Sequence, residues 1–222
     1  MAQFPDSKHV LEPGCSRCPA LVESRERIAW GNGSFDAAVV VVGEAPAAGV
    51  EPRSTDHSSG ASPRDGDSDA DRWRGGNWTG KAYTSRHSGR TVRELFADAG
   101  LGPEELYVTN AVKCFPEGED GSNREPTADE RANCRTHLRT EIERIDPAVI
   151  ATTGKHATLS VLGDDAPESF LDGVLDPVES EDFDAAVLPL VHPSYQNVWL
   201  PRLGYDRETY VEAIRARIAA RR

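Results

Sequence analysis

The feature that most constrains the fold of this chain is a set of four short apolar runs, at residues 37–42, 106–109, 148–152 and 185–190. They are rich in β-branched residues and do not alternate with polar ones. A strand with one wet face must alternate, so unbroken runs of this kind predict strands buried on both sides. Each run leads into a loop rich in Gly, Pro, Asn or His, and after three of them a helical pattern follows. Strands alternating with helices predict a parallel sheet. The helical segments carry their own end signals. Residues 91–99 stop at Gly100, and Thr127 stands three residues before Glu130, the capping-box spacing, at the head of a helix that must end before Pro147. Residues 156–162 and 207–221 supply two more. The expected architecture is α/β: a three-layer sandwich with a central, mainly parallel four-stranded sheet flanked by helices.

At 222 residues the chain suits one α/β domain, expected over 1–222. Between 51 and 73 the pattern lapses into Ser, Asp, Gly, Arg and Pro without apolar periodicity, which predicts a flexible acidic insertion at the surface. No stretch approaches the roughly 20 apolar residues of a membrane span, and the polar first ten residues lack a secretory core. A cytoplasmic protein without a membrane partner is expected.

In an open parallel sheet, ligands bind beyond the carboxyl ends of the strands. Those segments are distinctive here. The first strand runs into Gly43-Glu44-Ala45-Pro46-Ala47, the second into Asn110-Ala111-Val112-Lys113-Cys114, and the fourth into His192-Pro193-Ser194-Tyr195-Gln196-Asn197. The third leads to Gly154-Lys155-His156, which could be only a helix start. Singly, Glu44 reads as a turn cap, Asn110 as a loop stabiliser and His192 as a packed histidine before proline. Together, an acid, an amide and an imidazole on one sheet edge can polarise water, read a base edge and stabilise a leaving anion.

The cysteines form a second constellation. Cys15 and Cys18 are a close pair, Cys114 follows the second strand, and Cys134 lies in the next helix. Four thiols suit a tetrahedral metal site, although a zinc ribbon would normally present a second close pair. Two disulfides are disfavoured in a reducing cytosol.

These motifs resemble the uracil-DNA glycosylase superfamily, and within it the iron–sulfur families usually numbered four and five. The likeness runs from Cys15 to about Asn197, apart from 51–73. Family four typically reads GEAPG where this chain has GEAPA. The Ala47-Ala48-Gly49 ending, NWTGKAYTSRHSG at 77–89 and HPSYQN are similar to family five. Family five usually has an apolar residue at the position of Glu44, so the chain combines the two patterns.

The resemblance implies an enzyme that flips uracil out of DNA and hydrolyses its glycosidic bond, leaving an abasic site, and that works as a monomer on uracil-containing DNA. It implies a structural four-iron four-sulfur cluster on Cys15, Cys18, Cys114 and Cys134, with zinc as the alternative. Glu44, or failing that a backbone carbonyl of its loop, would position the water, and His192 would bond the uracil oxygen. Asn110 would read the base, with Gly43, Ala45 and Pro46 beside it. Tyr83 stands where both families usually carry the Phe that stacks on the base, although a core tyrosine beside the first strand is the alternative reading. Ser194 and Lys113 would hold phosphates around the flipped site, and Tyr195 or Gln196 would fill the vacated space. A same-fold glycosylase for hypoxanthine, xanthine or mismatched thymine is a second reading. A third is a non-enzymatic iron–sulfur or zinc module that binds nucleic acid or transfers electrons, which leaves Glu44, Asn110 and His192 without a purpose.

Charge points the other way. With 37 Asp and Glu against 25 Lys and Arg, the net charge is −12, whereas DNA-binding domains usually carry a basic footprint. An ordinary acidic enzyme with no nucleic-acid partner is one reading. The other is adaptation to high salt, in which surplus carboxylates keep the surface hydrated while a local basic face survives.

Overall fold

The structure is a computed structural model in which residues 8–51 and 72–222 are described. Most of the expected insertion at 51–73 therefore lies outside the described residues. Its two flanks meet: the Val50 amide donates to the Arg74 carbonyl at 2.8 Å.

The four apolar runs form the parallel centre of one sheet. β2 (Val39–Gly43), β3 (Leu106–Asn110), β4 (Val149–Thr153) and β6 (Ala186–Leu190) are buried along their whole length. The short strands β1 (Asn32–Gly33) and β5 (Val178–Glu179) pair antiparallel at the two edges, giving the order β1-β3-β2-β4-β6-β5. Among the described residues the sheet thus has six strands rather than the expected four. Each edge strand is two residues long, too short to leave a periodic signal in a sequence.

The helices form the outer layers, and the pleat decides which side chains meet them. Val39 and Val41 of β2, with Val108, Ala151 and Leu188 of its neighbours, pack with Leu95 and Phe96 of α3 (Ser88–Asp98) and Ile214 and Ile218 of α7 (Arg207–Ala219). Val40 and Val42, with Tyr107, Ile150 and Val187, pack with Leu138 and Ile142 of α4 (Ala128–Ile145) and Ala157 and Val161 of α5 (Lys155–Leu162). Each fully buried Val, Leu or Ile is worth roughly 1.5–3 kcal/mol, so this double-sided packing dominates the fold.

The end signals act as expected. Thr127 Oγ1 accepts from the Glu130 amide at 3.2 Å, and Glu130 Oε2 accepts from the Thr127 amide at 2.8 Å. Arg124 grips the same carboxylate with both guanidinium nitrogens. The helix stops at Asp146, whose φ of 53° precedes Pro147. Three further helices, α1 (Pro19–Ser24), α2 (Gly76–Thr79) and α6 (Gln196–Arg202), were not expected. They are too short for a 3.6-residue period to register, and α6 contains Pro201. Among the described residues, no helix is long and apolar enough to cross a membrane.

Candidate active site

All four parallel strands end on one side, and the register sets Gly43 beside Asn110. The loops beyond them enclose a cavity lined by Gly43, Glu44, Pro46, Tyr83, Asn110, Thr153 and His192. It adjoins a wider cleft of about 830 Å³ that shares Glu44, Ala45 and His192 and adds Lys155, His156, Ser194, Tyr195 and Trp199. The three strand-end residues singled out in the sequence therefore converge.

Gly43 is dictated by crowding. A Cβ there would lie 2.6 Å from both Asn110 Oδ1 and the Tyr83 hydroxyl. The loop that follows is pinned from two sides. The carbonyls of Gly43 and Glu44 accept from the amides of Ala111 and Val112 at 2.7 and 2.9 Å. Asn123 accepts from the Ala48 amide at 3.1 Å and donates to the Pro46 carbonyl at 3.0 Å. Glu44, half-buried at the start of this clamped loop, is pushed above the usual carboxylate range by its burial. His156 and Arg131 oppose that rise, and Glu125 reinforces it.

Asn110 is 3% exposed, and its Nδ2 has no hydrogen-bond partner among the described residues. An unpaired buried donor costs about 1–3 kcal/mol, and this one belongs to a residue that lines the cavity. Its own carbonyl is held by the Lys113 ammonium at 2.6 Å.

His192 caps the 3₁₀ turn Pro193–Tyr195, and its Nδ1 accepts from the Ser194 amide at 3.3 Å. Burial, aided by the charge of His87, lowers its pKa below the ordinary histidine value. A neutral ring whose Nδ1 accepts must carry its proton on Nε2, so the free face of the imidazole is a donor. Gly154, with φ +95°, passes beneath this ring; a Cβ there would come within 3.2 Å of His192 Cβ.

Tyr83 is buried and lines the cavity, and its hydroxyl lies 2.6 Å from Thr153 Oγ1. Burial pushes the phenol far above its usual range. The backbone adopts a left-handed φ of 53°, a conformation of order 1–3 kcal/mol above the ordinary ones for a non-glycine residue. Tyr83 belongs to the core on one side and lines the cavity on the other.

The surface assignments divide. Ser194 lies in the outer cleft and does not line the inner cavity. Tyr195 is 57% exposed at the rim, whereas Gln196 is 6% exposed and part of the interior, so it presents no side chain to a duplex. Lys113 also departs from expectation. It is 1% exposed, and its ammonium is spent on Glu141 Oε2 (2.6 Å), Thr109 Oγ1 (2.7 Å) and the Asn110 carbonyl, leaving nothing for a phosphate.

Several lining residues escaped the sequence reading. Thr153 ends β4 at the carboxyl edge, where the strand-end rule already pointed. Asn123 and Glu125 of the outer cleft come from no strand end and had no local signal.

The four cysteines come together in a small apolar cluster with Leu21, Ile28, Trp30 and Val112, against Ala45 of the pinned loop. No disulfide joins them. Every sulfur meets a donor: Arg17 at Cys15 (3.3 Å), Asn133 at Cys18 (3.5 Å), Arg25 at Cys114 (3.1 Å) and the Lys113 amide at Cys134 (3.5 Å). Burial raises the Cys114 thiol and pushes Cys134 up to about 11. Among the described residues, no three of these sulfurs lie within 4.8 Å of one another, whereas Glu12, Cys15 and His137 do offer three ligand atoms that close.

The sequence model described as the uracil DNA glycosylase superfamily matches residues 30–218. The chain is 30% identical over 181 residues to the Type-4 uracil-DNA glycosylase of Thermotoga maritima, covering 82% of this chain and 77% of that protein. It is 31% identical over 180 residues to the Type-5 uracil-DNA glycosylase of Pyrobaculum aerophilum, covering 67% of this chain and 66% of that protein. A third relative, the Type-4 uracil-DNA glycosylase of Archaeoglobus fulgidus, is 37% identical over 70 residues and is matched over about a third of its length. With the sheet, the strand-end cavity and these matches in agreement, the chain belongs to the uracil DNA glycosylase superfamily.

Proposed function

We propose that this chain excises uracil from DNA by hydrolysing the bond between the base and the deoxyribose. The observation that carries the reading is the buried, unpartnered Nδ2 of Asn110, in one cavity with Glu44 and the donor face of His192. A carboxamide both donates and accepts, so Asn110 pairs with a carbonyl and the adjacent imide N–H of uracil. Cytosine offers the reverse pattern, and a donor facing a donor costs about 1–3 kcal/mol, a ten- to hundredfold discrimination.

A base in a duplex cannot reach this cavity, so the nucleotide swings out and enters through the wide cleft. Tyr83, locked by Thr153 and by its own backbone, gives the base a fixed aromatic wall. Tyr195 at the rim is the residue placed to fill the space left in the duplex. When the bond from C1′ to N1 breaks, its electron pair leaves with the base and positive charge gathers on the sugar. His192 Nε2–H donates to the uracil oxygen on which negative charge builds, and being neutral it needs no proton from solvent. The Glu44 carboxylate faces the sugar cation and orients the water whose oxygen bonds to C1′. That water gives up one proton to the Glu44 carboxylate as the bond forms, and the departing uracil anion takes up one proton on release, so that water is divided between sugar and base.

The same proposal places a four-iron four-sulfur cluster on Cys15, Cys18, Cys114 and Cys134. Tetrahedral zinc, with bonds of about 2.3 Å, needs sulfurs roughly 3.8 Å apart. Among the described residues no three of these sulfurs come within 4.8 Å of one another, as that geometry would require, and a donor at each sulfur suits the thiolates of a polynuclear cluster. When bound, the cluster would supply cross-linking between the amino-terminal segment and the loop after β3 rather than chemistry on the base.

The test is Asn110→Asp. It keeps the shape but removes the donor, so single-turnover release of uracil should fall at least tenfold while affinity for undamaged DNA holds. Unchanged uracil release by the variant would refute the reading.

A further inference from the structure

The Lys113–Glu141 ion pair lies beneath the floor of the cavity and does nothing in the mechanism above. Both residues are buried, at 1% and 0% side-chain exposure. The ammonium has three acceptors: Glu141 Oε2, Thr109 Oγ1 and the Asn110 carbonyl. Glu141 Oε2 also accepts from Thr109 Oγ1 at 2.5 Å, and Oε1 accepts from the Gly31 amide at 2.9 Å. Both members are thus hydrogen-bonded on every side. A buried ion pair gains little over an apolar pair of the same size, because desolvation cancels the attraction, so its presence is poorly explained by stability.

Its geometry offers another explanation. Asn110 is the last residue of β3, and beyond it the chain turns toward the cysteines. At that point its carbonyl loses the sheet as a partner and takes the ammonium instead. The same Lys113 holds the cysteine region through its backbone: its amide donates to Cys134 Sγ at 3.5 Å, and its carbonyl accepts from the Ala29 amide at 2.7 Å. One residue therefore spans from the metal-binding cysteines to the base-reading amide.

We propose that the Lys113–Glu141 pair is a positioning device for base recognition, holding the Asn110 peptide so that its carboxamide faces the base, and linking that orientation to the cysteine site. The inference rests on the reading of Asn110 given above. Neither Lys113 nor Glu141 touches substrate; they act through Asn110.

The discriminating experiment uses the full-length metal-loaded protein and compares Lys113→Met, the double variant Lys113→Met/Glu141→Leu, and Asn110→Ala. Four quantities are read: melting temperature, iron content, single-turnover uracil release, and inhibition by free uracil. Lys113→Met leaves an unpaired buried carboxylate and should melt well below wild type. The double variant should regain most of that loss, because an apolar pair replaces an ionic one. Its uracil release should nevertheless stay at least tenfold slow, and free uracil should inhibit it at least tenfold more weakly, with iron content unchanged. A double variant that recovers both melting temperature and wild-type rate makes the pair purely structural and overturns the proposal. Thr109→Val removes one acceptor of the ammonium and one donor to Glu141 with little change of shape, and should slow release severalfold; it decides the matter where the double variant does not fold, since a wild-type rate there also overturns the proposal. Asn110→Ala separates the two claims. If it releases uracil like wild type, the reading of Asn110 fails; if it is crippled while the double variant is normal, only the positioning role fails.

Discussion

Replacing Glu44 by Gln sets catalysis against stability in one side chain. The carboxylate is half-buried in the cavity, and burial raises its pKa above the ordinary 4.5. A group whose folded pKa is raised contributes stability only at low pH. That contribution is lost as pH rises through the ordinary value toward the raised one, so at neutral pH the ionised form weighs against the fold. Gln keeps the shape and removes the charge, and the variant should therefore melt higher than wild type at neutral pH. The difference should vanish under acid conditions in which Glu44 is protonated. Catalysis moves the other way. Loss of the carboxylate that we propose orients the water should slow the chemical step about a hundredfold, near 2.7 kcal/mol. The assay is single-turnover excision on a duplex with one uracil, run across pH beside thermal melting. Wild type should show an acid limb above pH 4.5, as Glu44 protonates through its raised pKa, and the variant should be flat there. Equal rates for the two proteins would refute the argument and leave water positioning to the loop backbone, as the family-five pattern would have it.

Three further outcomes follow from the same geometry. His192→Ala removes one preorganised donor to a developing anion and should lower single-turnover excision roughly a hundredfold, with DNA affinity by fluorescence anisotropy little changed. Anaerobically purified protein should be brown, and Cys134→Ala should bleach it and reduce soluble yield; a colourless protein with stoichiometric zinc would remove the cluster from the account. Deleting residues 52–71 should leave the melting temperature within a few degrees, because Val50 and Arg74 already meet across the gap and shortening a loop changes closure entropy only slowly.

The central sheet was legible because its strands are buried on both faces, which forces unbroken runs such as 39–42 onto the sequence. The cavity was legible for the same reason, since a parallel sheet places Glu44, Asn110 and His192 on one edge whatever the loops do. What the sequence hid depends on contacts between distant segments. Lys113 looks like a phosphate ligand in the string Asn110-Ala111-Val112-Lys113-Cys114, and only the partner in α4, Glu141, turns it inward. Gln196 follows the exposed Tyr195 directly, yet it opens a helix that points it into the interior. The edge strands and the clamp made by Asn123 leave no periodic trace at all.

The most direct test of the account is base release by the wild-type protein from oligonucleotides carrying uracil, hypoxanthine, xanthine or thymine opposite guanine, each under single-turnover conditions and across a salt series. The account predicts free uracil and an abasic site, with uracil released fastest because its carbonyl and imide N–H match the Asn110 carboxamide while it lacks the 5-methyl group of thymine and the second ring of the purines. No uracil release at any salt concentration, or faster release of one of the other three bases, would contradict it.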